Sequence, residues 1–188
     1  MSASKYERVY TAVALISAIA FGLGPISAFA AQRNSGKARI GAWMTIAEVG
    51  SEAAIAANAS VPPDSHETNS VLLVVKKSHG RAGIFTEGSR RMKLASGDWY
   101  DLTFYARSET NHHFGLVMSL ESKDGKTVCA RATIPEVGGA WRKYVLALQI
   151  RKSNSRARLV IGMLESGTIW LADVSLVSRG SNKDILRP

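Results

Sequence analysis

From residue 98 to residue 178 the chain alternates short runs of Val, Ile, Leu, Tyr, Phe and Thr with brief polar breaks. Few folds accept that rhythm. The runs are 98–108, 114–122, 127–135, 141–151, 157–165 and 168–178, separated by turn-forming stretches such as Ser122-Lys123-Asp124-Gly125-Lys126 and Val137-Gly138-Gly139-Ala140. Many short strands at even spacing predict an all-β fold, an antiparallel β-sandwich. A sandwich with one open concave face serves binding more often than catalysis. The chain carries no recognisable catalytic motif, so a non-catalytic role is expected.

Alternation inside the strands predicts which side chains face the core. Tyr100, Leu102, Phe104 and Ala106 share one face of their run, as do Phe114, Leu116, Met118 and Leu120. The same holds for Val128, Ala130, Ala132 and Ile134, and for Tyr144, Leu146, Leu148 and Ile150. The opposite faces collect Tyr105, Arg107, Glu121 and Arg131, an aromatic with charged neighbours. Read as lying on adjacent strands, these four would make one polar face. Tyr105 would then be a stacking platform, with the charged side chains as hydrogen-bonding groups around it. The alternative is an ordinary solvated face with cross-strand ion pairs.

Upstream, 70–77 is apolar enough to predict a strand covered on both faces, and 82–86 and 90–94 read as two shorter strands around Glu87-Gly88-Ser89. The Ala-rich run 52–59 suits a helix by propensity. Its short length and its passage into Pro62-Pro63 favour a strand within a β-rich chain.

Lys5 and Arg8 precede an uncharged stretch to Gln32 that is broken by Gly24 and Pro25 and followed by Ala28-Phe29-Ala30. That layout predicts a secretory signal peptide over residues 1–30, hence a secreted or periplasmic protein with no membrane span after cleavage. A retained anchor is the alternative, although the apolar part is short for a span of about 20 residues. Residues 31–39 read as a flexible leader, 40–178 as the sandwich and 179–188 as a polar tail. The full chain carries a net charge of +9, and removal of residues 1–30 leaves 22 basic and 14 acidic side chains. The basic excess suits polyanionic partners; export makes nucleic acid a poor one. Cys129 is the only cysteine, so no intramolecular disulfide can form, and its mid-strand place predicts an inert thiol.

Five short motifs in order carry a resemblance: Gly97-Asp98-Trp99-Tyr100 through Arg107, Leu120 to Lys126, Trp141 to Tyr144, Arg158 to Ile161, and Gly167 to Leu176. Over about residues 43–178 the chain resembles the carbohydrate-binding modules of families four, nine and twenty-two, above all the version at the N-terminus of family fifty-one α-L-arabinofuranosidases. The resemblance implies a galactose-binding-like jelly roll that takes up polysaccharide, without the catalytic barrel. A separate glycoside hydrolase or an envelope protein would then be its protein partner. It also implies a structural calcium ion, for which Asp173 matches the acid of the last strand and Glu48 is the nearest candidate partner. Glu87 and Gly88 match a ligand-binding motif of the arabinofuranosidase modules. Ser89 and Arg90 stand where aromatics would follow, and arginine suits a uronate or sulfate. The competing expectation is an envelope β-sandwich for protein interaction that has lost its sugar site.

Three features suggest other chemistry and fall short of it. His112-His113 offers two adjacent imidazoles without a third metal ligand at suitable spacing. Glu87 and Glu121 could be paired as glycosidase carboxylates, but a sandwich of this size encloses no substrate. Asn58-Ala59-Ser60 is a glycosylation sequon relevant only in a eukaryotic host.

Overall fold

The computed structural model describes residues 39–87, 92–109 and 113–180, with the backbone of 184–186. All belong to the second of two compact units, Ser35–Pro188. The predicted signal peptide, most of the leader, Gly88–Arg91 and His112 lie outside the described residues.

Among the described residues thirteen strands form two antiparallel sheets. They are β1 (Arg39–Ile40), β2 (Trp43–Ala47), β3 (Glu52–Asn58), β4 (Ser70–Lys77), β5 (Ala82–Thr86), β6 (Met92–Leu94) and β7 (Trp99–Ser108). Then follow β8 (Phe114–Ser122), β9 (Val128–Val137), β10 (Arg142–Gln149), β11 (Asn154–Met163), β12 (Gly167–Ser178) and β13 (Asp184–Leu186). The first sheet runs β1-β2-β5-β11-β8-β9, with β6 beside β11; the second runs β10-β7-β12-β4-β3, with β13 beside β12. The fold is an all-β jelly-roll sandwich, as expected. The Ala-rich segment is strand β3, and the presumed tail supplies β13.

The core lies between the sheets. Leu73, Leu102, Phe104, Leu116, Met118, Leu120, Leu159 and Ile161 have no solvent exposure, and the Phe104 and Tyr144 rings stack at 5.5 Å. Parity holds in β7 and β8 and is interrupted in β9. A bulge there lets Leu120 face Ala130 while Glu121 faces Val128, so Cys129 turns inward and is fully buried whereas Val128 is 38% exposed. The expected core place of Val128 is thus taken by Cys129, whose thiol pKa is pushed up by burial. β4 is also not covered on both faces: Leu73 and Val75 are buried, while Leu72 and Val74, on the outer side, are half-buried.

Candidate functional site

The outer face of the first sheet is built from rungs that alternate with the core. Met44, Phe85, Val160, Ser119 and Arg131 form one rung across β2, β5, β11, β8 and β9; Ile46, Gly83, Gly162, Val117 and Thr133 form the next. Glycines and small side chains in the middle leave a depression. At Gly83 a Cβ would stand 2.2 Å from the Ile161 carbonyl oxygen, so only glycine permits this close approach of β5 to β11. At Gly162 the nearest atom would be 3.5 Å away, and the residue's bareness simply leaves space. The result is a cleft of about 390 Å³ whose walls include Glu48, Arg81, Val117, Glu121 and Arg131.

One end of this cleft is organised around Glu121, only 1% exposed. Its Oε1 accepts from the Ser119 hydroxyl at 2.6 Å, and its Oε2 accepts from Arg81 Nη2 at 2.5 Å and Arg158 Nη2 at 3.4 Å. Arg158 is the cross-strand partner of Glu121, and its guanidinium lies 4.8 Å over the Phe85 ring. Arg81 starts from the other end of the sheet. Next to it, Ala82 faces Met163, five residues along β11 from Arg158. On a flat sheet that separation is about 16 Å, more than an arginine and a glutamate can bridge. The face therefore curves inward, and the Arg81 side chain runs along it. Glu48 holds the start of that arginine by accepting from the Arg81 backbone N–H at 3.2 Å.

The four residues expected to share one face are divided between two. Glu121 and Arg131 line the cleft on the first sheet. Tyr105 and Arg107 project from β7 on the outer face of the second sheet, across the sandwich. Strands β7 and β8 are neighbours in sequence and belong to different sheets, so a common parity did not mean a common face. Glu87 is at neither place: it follows β5, pairs with Lys123 at 3.1 Å and borders a separate depression of about 140 Å³. Sequence reasoning missed Arg81 and Arg158. Arg158 was recoverable, since it opens the Arg-Leu-Val-Ile run on the non-core parity.

On the second sheet Arg107 stacks 3.8 Å over Trp170, faces Trp141 at 5.5 Å and donates from Nη2 to Ser60 Oγ at 3.3 Å. Burial pulls its guanidinium pKa down. Lys143 Nζ lies 5.8 Å over the Tyr105 ring. Rings on this side thus each have one of the protein's own cations over them.

Asp173 sits in a bulge of β12, between the pairs Ala172↔Tyr105 and Ser175↔Thr103, with φ of 50°. Its Oδ1 accepts from Ser65 Oγ at 3.1 Å, and its backbone N–H donates to Glu67 Oε2 at 3.2 Å. Burial first, and the Asp173 charge last, raise the Glu67 pKa against that hydrogen bond. Glu48, the expected calcium partner, belongs to the first sheet and not to this cluster. The side chains here supply two carboxylates and a hydroxyl, partly engaged with protein donors, toward the six to eight oxygens that calcium takes from side chains, backbone carbonyls and water together. No group of three or more metal-ligating His, Cys, Asp or Glu occurs among the described residues. His113 pairs with Glu136.

No family model matches this chain, and no curated protein does. Solved structures do. The chain is similar to an arabinose-bound family 51 α-L-arabinofuranosidase, with 23% identity over 73% of this chain and 23% of that one, at a TM-score of 0.63. A family 4 carbohydrate-binding module matches with 14% identity over 69% of this chain and 95% of its own length, at 0.50. The C-terminal family 22 carbohydrate-binding module of Clostridium thermocellum Xyn10B matches with 11% identity over 76% and 90%, also at 0.50. The chain therefore spans under a quarter of the arabinofuranosidase and nearly all of either module. At these identities the likeness is one of fold: the chain has the fold of a carbohydrate-binding jelly-roll module.

Proposed function

We propose, from that fold, that this chain is an exported, non-catalytic module that attaches to an extracellular or cell-wall polysaccharide through the cleft on the first sheet. The observation that carries the reading is the Arg81–Glu121–Arg158 network at the end of an open, inward-curving groove. A polar cluster fixed in place before ligand arrives holds donors at set positions, which lowers the ordering cost of binding. Export rests on the N-terminal pattern of residues 1–30. The non-catalytic part is supported by the state of Glu121. A glycosidase acid needs a free proton-transferring carboxyl opposite a second one, and Glu121 is locked between two guanidinium groups and a hydroxyl.

The test is affinity electrophoresis of the full chain in gels containing soluble polysaccharides, beside Gly162→Leu. That substitution projects into the cleft from a position where a Cβ meets no clash. At least one polysaccharide should retard the parent chain and release the variant, with both proteins unfolding at similar temperatures. Equal retardation of the two would move the site elsewhere, and no retardation would remove the function. A second reading, an envelope β-sandwich for protein interaction, draws on the half-buried apolar strip Ala54, Ala56, Leu72 and Val74 beside Trp170 on the second sheet.

A further inference from the structure

Resting on the module reading, we infer that the glycan taken by the cleft is acidic, its carboxylate or sulfate held by Arg131 and the free edge of Arg81. Stacking on aromatic rings is the usual means of gripping a neutral sugar, and the cleft has none to offer among the described residues. Phe85 is on the right face but 2% exposed, beneath the Arg158 guanidinium. Trp43, Tyr100 and Tyr144 belong to the core, and Trp99, Tyr105, Trp141 and Trp170 to the second sheet.

The hydrogen-bonding inventory points the same way. A carboxylate offers about four acceptor sites. Three of those on Glu121 are taken, and the group is shut off from solvent. It cannot accept from a sugar hydroxyl. Apart from the exposed Glu48 carboxylate, which accepts from the Arg81 backbone N–H, what the charged side chains of the cleft present to a ligand is donors. Arg131 is exposed on the cleft wall, one rung position from Ser119, and makes no ion pair among the described residues. Arg81 commits Nη2 to Glu121 and keeps about a quarter of its side chain exposed. Three guanidinium groups (Arg81, Arg131, Arg158) meet two carboxylates (Glu48, Glu121), leaving one positive charge for the ligand to neutralise. Glu121 and Arg158 act as positioning residues for Arg81. A planar fork of donors suits a carboxylate or sulfate in two-point contact.

The experiment is calorimetric titration of the full chain at 0.15 M salt, where attraction beyond about 8 Å is screened. The probes are a galacturonate tetrasaccharide, a chondroitin sulfate tetrasaccharide and xylotetraose. Charge alone is controlled by comparing Arg131→Gln with Lys76→Gln, an exposed lysine on β4 in the second sheet. One of the two acidic probes should bind more tightly than xylotetraose, and the tighter of them identifies the anion as carboxylate or sulfate. Arg131→Gln should weaken it about tenfold or more, the range of a charge-assisted hydrogen bond; Lys76→Gln should change it less than about twofold. Equal losses in the two variants would mean diffuse charge and overturn the inference. So would xylotetraose binding as well as either acid, which would nevertheless keep the module reading. Silence from all three probes and from every polysaccharide gel would remove both.

Discussion

Glu121 shows how far a single side chain's setting departs from what its strand position implies. On sequence it is an outward carboxylate near the end of a strand, available to solvent and ligand. In the structure it is almost wholly enclosed by Arg81, Arg158 and Ser119. Removing its charge leaves two guanidinium groups facing each other, one of them with a side chain only 9% exposed. Glu121→Gln should therefore destabilise the fold by about 3 kcal/mol, as unpairing a buried ion does. Arg81→Met leaves Glu121 paired with Arg158 and should cost less, about 2 kcal/mol, as a hydrogen bond to a charged group does. Urea unfolding of the two variants checks the order; a larger loss for Arg81→Met would contradict it. Glu67 supplies a second test at this scale. Its folded-state pKa is raised, chiefly by burial, so the folded protein holds a proton that the unfolded chain has released. Stability should accordingly fall as pH rises from the unfolded glutamate value through the raised one, and stay lower above it. Glu67→Gln should flatten that limb of a pH–stability curve and make the protein more stable at pH 7. An unchanged curve would show that Asp173 and burial do not govern this carboxyl.

Within single elements the sequence was largely readable. Alternation identified the buried sides of β7 and β8 because an uninterrupted strand has a strict period of two. It failed where a bulge inserts a residue, as between Leu120 and Glu121 opposite Cys129 in β9. Nothing local in Thr127-Val128-Cys129-Ala130 announces that extra residue; the partner strand imposes it. The bulge in β12 is different, because Asp173 carries a mark of its own. It is the only described residue other than glycine with positive φ, a conformation that Asp tolerates better than most residues because its short side chain bonds locally. Asp173→Ala would keep the Cβ in that region and lose the Ser65 contact, for a cost of about 2 kcal/mol. Asp173→Gly loses the same contact but relaxes the backbone, and should recover about 1 kcal/mol of it. Thermal unfolding of the pair separates backbone strain from side-chain bonding. If glycine is the worse of the two, the dihedral angle imposes no net strain on a residue with a Cβ, since both variants lack the Ser65 bond.

At the scale of the whole molecule, what the sequence concealed was the partition of strands between sheets. Parity states whether a side chain points in or out; it does not state out of which sheet. β7 pairs with β10 and β12, while the next strand, β8, pairs with β9 and β11. Tyr105 and Arg107 therefore leave the sandwich on one side, Glu121 and Arg131 on the other. Packed sheets stand about 10 Å apart, and both pairs of side chains project away from that gap. Substitutions this far apart with no shared partner combine additively to within about 0.5 kcal/mol. Tyr105→Ala should leave glycan affinity within about twofold of the parent, and Tyr105→Ala with Arg131→Gln should bind like Arg131→Gln alone. Arg81→Gln combined with Arg131→Gln should instead lose less than the sum of the single losses, because both arginines would hold one anionic group. Titrations of the five variants, singles and doubles, with the tighter acidic tetrasaccharide decide between the faces. A tenfold loss from Tyr105→Ala, with Arg131→Gln silent, would place the sugar on the second sheet, against the rings that Arg107 and Lys143 now cover.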